Sequence, residues 1–211
     1  SVRSVVENAL DQTGENPVLV LDYDSHFKIP GSQRVARILR DLSDPVEVSI
    51  DALVYGHFFP IKYIGAQKPH DLRLVTILRD PLDRLISHFN FWNNGDFSDH
   101  YLWRKMKYHR WTVEDFILCD EMRNFYSQYF SLTPLQFFSY IGIYEDLDRS
   151  VNNCLLALGI DADPVSTPHL NITEVKHSRD LSSRFVALAM EIHAQDYLVY
   201  EYARLKFHSG I

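Results

Sequence analysis

The chain has 211 residues, 46% hydrophobic and 13% aromatic, which suits one globular domain with a full core and excludes a disordered or low-complexity protein. Its formal net charge of -7 excludes a general nucleic-acid binder and leaves room only for a local basic cleft. The two cysteines, Cys119 and Cys154, lie in apolar helical patterns and read as buried thiols rather than as a disulfide framework or zinc site, and no apolar run reaches membrane-spanning length.

After Pro17, Val18-Leu19-Val20-Leu21 is a continuous apolar run, the pattern of a parallel strand buried on both faces. The polar loop DYDSHFKIPGSQ follows. Val35, Ile38, Leu39 and Leu42 then recur at helical spacing, predicting an amphipathic helix with Ser32 as its N-cap. Val46, Val48 and Ile50 alternate with Glu47, Ser49 and Asp51, and Leu53-Val54 extend this second strand to YGHFF. A third strand is expected over Leu72 to Leu78. Beyond it Asp80 caps a helix with Pro81 in its first turn and a buried stripe of Leu82, Leu85, Ile86 and Phe89. Thr112 and Asp115 have the spacing of a capping box before another helix. Tyr140 to Tyr144 reads as a fourth strand, followed by a helix marked by Leu147, Val151, Leu155 and Leu158 and stopped by Gly159. A last helix is expected from about Leu181 to Phe207. Strands alternating with helices predict a single α/β domain over residues 1–211, with a mostly parallel sheet flanked by helices. Ligands of such sheets bind beyond the carboxyl ends of the strands.

Three strand ends carry chemistry. Beyond the first, Lys28, Gly31 and Ser32 lead into a helix N-terminus, where backbone N–H groups and the helix dipole favour a phosphate. Beyond the second is His57, and beyond the third are Arg79, Arg84 and Ser87. In a parallel sheet all three sets share one edge, and a ligand with two separated phosphates would use the first and third. Each residue also has an ordinary reading. Lys28 alone is a loop lysine, His57 alone a half-buried satisfied histidine, and Arg79 and, more so, Arg84 pair with Asp80 or Asp83. Only its distance from Arg79 singles out Ser87. His88 and His26 are reserve bases, whereas Asp22 and Asp24 would repel an anionic ligand. Arg104, Lys105, Lys107 and Arg110 lie among aromatics and read as a solvated helix face in preference to a lid over an acceptor.

TILRDPLDRLISHF, Thr76 to Phe89, resembles the 3′-phosphate-binding segment of sulfotransferases that use 3′-phosphoadenosine 5′-phosphosulfate (PAPS). There a strand ends in Arg and a Ser lies eight residues later, the types and spacing of Arg79 and Ser87. FKIPGSQ resembles the family's 5′-phosphosulfate loop, commonly Pro-Lys-Thr-Gly-Gly-Thr-Ser. Lys28 falls on its lysine, Gly31 on its second glycine and Ser32 on its threonine, and Gln33 stands where a serine is usual. Phe27, Ile29 and Pro30 depart from that pattern, and Pro30 removes one N–H from a phosphate cradle. VYGHFF resembles the Gly-His segment of the uronyl 2-O-sulfotransferase branch, whose histidine is the base. YIGIYEDLDRSV and DYLVYEYARLKF resemble that family's late strand and C-terminal helix. His169 to Ser178 occupies the position of the loop that folds over the nucleotide, which implies phosphate contacts from Thr173 and Lys176.

The resemblance implies a P-loop sulfotransferase-like fold and transfer of a sulfuryl group from PAPS to the hydroxyl of a carbohydrate or small metabolite, releasing adenosine 3′,5′-bisphosphate. Under it His57 and Lys28 are catalytic, and Lys28, Gly31, Ser32, Gln33, Arg79, Ser87, Thr173 and Lys176 bind the nucleotide. Neither a metal nor a nucleic-acid partner is expected. A P-loop phosphotransferase using ATP stays open, although the Gly-x-x-x-x-Gly-Lys-Ser/Thr pattern is missing. So does a non-catalytic nucleotide-binding relative, which Ile29 and Pro30 favour. The chain starts at Ser1. One complete at that end would be expected in the cytoplasm, and one trimmed of an upstream anchor in the Golgi lumen.

Overall fold

A computed structural model describes residues 2–13, 18–23, 31–44, 46, 48–49, 52–64, 72–130, 132–166 and 180–209. In chain order these form α1 (Val2–Thr13), β1 (Val18–Asp22), α2 (Gly31–Ser43), β2 (Ala52–Gly56), α3 (Ile61–Ile64), β3 (Leu74–Leu78) and α4 (Pro81–Asn94). There follow α5 (Tyr101–Tyr108), α6 (Val113–Leu118), α7 (Phe125–Phe130), β4 (Phe138–Ile143), α8 (Leu147–Leu158), α9 (Ser183–Ile192) and α10 (Ala194–Ser209).

The architecture is α/β, with parallel strands flanked by helices. β1 pairs with β2, from Val18 opposite Ala52 to Asp22 opposite Gly56. β3 pairs with β4, ending with Leu78 opposite Ile143. Among the described residues the strands form these two couples rather than the one continuous sheet expected from the sequence. Side chains bridge them. Leu53 of β2 and Ile77 of β3 pack on one cluster built from Val5, Val6, Ala9 and Leu10 of α1 and Val151 and Leu155 of α8.

The strongest local signals became the best-defined elements. The Asp80 carboxylate accepts the amides of Leu82 (2.9 Å) and Asp83 (3.0 Å) at the start of α4. Leu82, Leu85 and Ile86 are then buried against α5 and α6, where Phe116 and Ile117 are fully enclosed. Burying each such side chain stabilises the fold by roughly 1.5–3 kcal/mol. The capping box closes reciprocally. The Asp115 amide donates to Thr112 Oγ1 at 3.1 Å and the Thr112 amide to Asp115 Oδ2 at 2.8 Å. α8 stops at Gly159, whose φ of 87° is the left-handed conformation of a C-cap. Cys119 and Cys154 are free, and burial pushes both thiols up to about 12.

Five expectations change. β1 is not buried on both faces, since Val18 and Leu21 are 58% and 43% exposed. The stripe of α2 is also outward, with Val35 and Leu39 at 59% and 57%. Periodicity identifies a common face but not what covers it. α2 begins at Gly31, so Ser32 lies in its first turn instead of capping it, and Val46, Val48 and Ser49 precede the strand that starts at Ala52. The single C-terminal helix is two, broken at His193. Asn124 N–H donates to its Nδ1 at 3.3 Å, so Nε2 carries the proton and donates to the Ile117 carbonyl at 2.8 Å. Those two distant anchors, read from opposite sides of one ring, hold the chain out of a continuous helix there.

Candidate active site

β3 delivers Arg79 to the junction with α4. The Tyr126 hydroxyl accepts the Arg79 N–H at 3.0 Å and donates to the Arg79 carbonyl at 2.9 Å, so one phenol satisfies both backbone groups. The Asp80 amide donates to Glu145 Oε1 at 2.9 Å, which ties the same junction to the segment after β4. The Arg79 guanidinium lies 4.6 Å from the centre of the Tyr144 ring. Among the described residues no carboxylate forms an ion pair with it, and Asp80 is occupied as the helix cap. Ser87, on α4, is half-buried, and its hydroxyl makes no hydrogen bond among the described residues. Among the described residues, a guanidinium without an ion pair and a hydroxyl without a hydrogen bond therefore lie beyond β3.

Arg84 corrects the reading that paired it with Asp80 or Asp83. Its guanidinium lies 4.2 Å from the Phe125 ring centre and 5.1 Å from that of Tyr126, with Nε and Nη2 buried and unpartnered. Desolvation lowers its proton affinity, and the charges of Tyr126 and Asp196 act against that. Helical spacing on α4 turns it inward, away from the acids at the helix start.

His57 is placed by backbone. At the end of β2, Gly56 has φ 156°, and a Cβ there would sit 1.7 Å from the Asp22 carbonyl oxygen. Only glycine permits that approach. The His57 N–H then donates to the same carbonyl at 2.9 Å and carries the strand couple one residue further. Its ring keeps an exposed face and lies 5.6 Å from the Tyr23 ring. Desolvation by the protein behind it lowers its proton affinity, so the imidazole is neutral at pH 7.

The reserve bases fare differently. His88 is driven down to about 3, by burial first and then by the charges of Arg84, His100 and His57. It sits edge-on at 4.3 Å from Trp92 and 5.5 Å from Phe116, a neutral core ring. That removes it as a base. Asp22 is occupied, because its Oδ2 accepts from Lys62 Nζ at 2.7 Å and from the Tyr63 hydroxyl at 2.5 Å. Lys62 balances the charge that would have repelled an anion. These two α3 residues escaped the sequence reading, where the only signal is a lysine and a tyrosine soon after YGHFF.

A second missed element is α7. Tyr126 holds Arg79, while Tyr129, one turn on, stacks at 5.2 Å on Phe59 and hydrogen-bonds the Phe58 backbone. One helical turn, about 5 Å, thus separates the residue that holds Arg79 from the one that stacks on Phe59.

Lys28, Thr173, Lys176, His26 and Asp24 lie outside the described residues. Gly31, Ser32 and Gln33 form the first turn of α2, and Gln33 is exposed. On α5, Lys105 pairs with Glu121 at 2.8 Å, Lys107 donates to the Asn93 carbonyl at 2.8 Å and Arg104 to the Ser98 carbonyl at 2.7 Å, as a solvated face would. Among the described residues no cluster of His, Cys, Asp or Glu could hold a metal ion, and no helix is long and apolar enough to cross a membrane.

No curated protein and no solved structure matches the chain. The family model described as sulfotransferase domain matches residues 7–183, which include every described strand and the Arg79–Ser87 segment. With that match over most of its length, the chain belongs to the sulfotransferase domain family.

Proposed function

We propose that this sulfotransferase takes its sulfuryl group from PAPS and delivers it to a hydroxyl of a carbohydrate or small metabolite, in the manner of the uronyl 2-O branch. The observation that supports the reading is an Arg79 guanidinium with no ion pair and a Ser87 hydroxyl with no hydrogen bond among the described residues, both beyond β3, together with a neutral imidazole at the end of β2. Arg79 and Ser87 suit a 3′-phosphate, where a charge-assisted contact is worth roughly 1.5–3 kcal/mol. Lys28 and the amides entering α2 suit the 5′ end.

In the reaction the acceptor oxygen bonds to sulfur as the bond from sulfur to the bridging oxygen breaks. His57 takes the acceptor's proton on its unprotonated ring nitrogen. Lys28 offsets the charge that grows on the departing phosphate oxygens. Adenosine 3′,5′-bisphosphate leaves.

Calorimetry with adenosine 3′,5′-bisphosphate, AMP and ATP with magnesium tests the donor. The bisphosphate should bind tightest. Equal affinity for the bisphosphate and AMP would defeat the reading, and tightest binding of ATP would favour a phosphotransferase. A screen of labelled PAPS over pooled hydroxyl acceptors then identifies the acceptor. Bisphosphate binding without turnover on any pool would favour a non-catalytic relative.

A further inference from the structure

We propose that α7 is the strut of the nucleotide clamp, with the Tyr126 hydroxyl as the positioning group that aims Arg79 and Asp196 as the group that holds α7 in place. The inference rests on the reading of Arg79 as a 3′-phosphate ligand.

Arg79 sits where a strand becomes a helix, a point at which backbone groups lose their ladder partners. Both of its backbone polar groups close on one hydroxyl, at 3.0 and 2.9 Å, and the residue supplying it is 47 positions away. Tyr126 is 6% exposed and lies in the cluster formed by Leu78, Ile141, Ile143 and Tyr200. Its ring therefore has a fixed seat on β3, β4 and α10. The Arg84 guanidinium covers the faces of Phe125 and Tyr126 from the α4 side.

α7 has six residues and too few internal bonds to hold itself. Its start is fixed from outside. Asp196 of α10 is fully buried, and its Oδ1 accepts the Ser127 N–H at 3.1 Å. The amides of Tyr126 and Phe125 also favour its carboxylate form. The Asn124 amide, one residue before α7, goes to His193 Nδ1 at 3.3 Å. Both capping groups lie at the break between α9 and α10, so that break supplies what α7 lacks. The far end of the strut reaches the other half of the site through Tyr129, Phe58 and Phe59, next to His57.

The test is Tyr126→Phe, which removes one oxygen and keeps the ring. Affinities for adenosine 3′,5′-bisphosphate and AMP are measured by calorimetry alongside thermal unfolding. The bisphosphate should lose about tenfold, the size expected of one lost hydrogen-bonding pair, with AMP unchanged. A full bisphosphate preference in the variant overturns the proposal. So does a proportional loss of both nucleotides, since that marks a merely structural role. A parent protein with no preference defeats the 3′-phosphate reading itself and the strut with it, a result distinct from the other two. If the variant does not fold, amide exchange in the parent decides. Bisphosphate should protect the Arg79 amide and residues 125–130 more than AMP does, and protection confined to α4 overturns the idea.

Discussion

The β3–β4 couple and the β1–β2 couple are built from similar five- and six-residue strands, yet they stand in different surroundings. β3 and β4 are sandwiched, with Leu78, Ile141 and Ile143 at 2%, 6% and 4% exposure and α8 and α10 packed on them. β1 runs with Val18 and Leu21 outward, beside an α2 whose apolar stripe also faces out. The candidate 3′-phosphate clamp stands on the enclosed couple. The candidate base stands at the end of the open one, where an acceptor has access. Sequence alone did not distinguish the couples, since the leading strand of each, β1 and β3, reads as an apolar run. Burial, and with it the free-energy consequence of a substitution, follows from what lies opposite.

That contrast is broken most severely in the enclosed half. Leu85→Ala, at a position with no exposure, should cost about 2–5 kcal/mol in denaturant unfolding. A loss under about 1 kcal/mol would show that the α4 core is loosely packed.

The pH dependence of stability should come from the same half. The unfolded chain takes up the His88 proton near its ordinary 6.5, the folded chain only near about 3. Protonation therefore favours unfolding, and stability should fall as pH drops from 6.5 toward 3, by at most about 5 kcal/mol. Asp196, pushed up to about 6 by burial, works in the opposite sense between its ordinary 3.8 and that value. His88→Phe should flatten the slope, and an unchanged acid profile would place the titrating group elsewhere.

The next effect belongs to the open half. His57→Ala should lower turnover about a hundredfold or more while nucleotide affinity stays intact. Because desolvation lowers the proton affinity of His57, the acid limb of the wild-type rate should lie below the ordinary histidine pKa of about 6.5. An unaffected rate would move the search to other bases.

Arg79→Ala should weaken adenosine 3′,5′-bisphosphate by ten- to hundredfold, roughly, and leave AMP nearly alone. Equal losses for both ligands would mean that Arg79 holds the fold and not the 3′-phosphate. The smallest change sharpens the comparison from its other side. Leu39→Ala, on the exposed face of α2, should shift stability by no more than about 0.5 kcal/mol. A cost like that of Leu85→Ala would show that something covers that face.

What the sequence made legible was local. Asp80-Pro81, the Thr112–Asp115 box and Gly159 announce helix ends because the groups they satisfy lie within four residues. Strand order and the place of His57 and Arg79 beyond their strands followed from alternation. Partners were not legible. Nothing near Arg84 says that it stacks on Phe125, nothing near Arg79 points to Tyr126, and the break at His193 is decided by Ile117 and Asn124.

The hydrogen bond from the His57 N–H to the Asp22 carbonyl separates an address from its occupant. Main chain fixes where residue 57 stands, and the imidazole contributes nothing to that choice. Position 57 is thus a socket: another proton acceptor, as in His57→Glu, would start from the same spot and change only the chemistry delivered there. Position 56 is the reverse. With 1.7 Å to the Asp22 oxygen, any side chain at Gly56 forces β2 away from β1 and moves the socket whatever fills it. A lineage with this strand end can swap its base in one substitution, but it cannot relocate that base without rebuilding the couple.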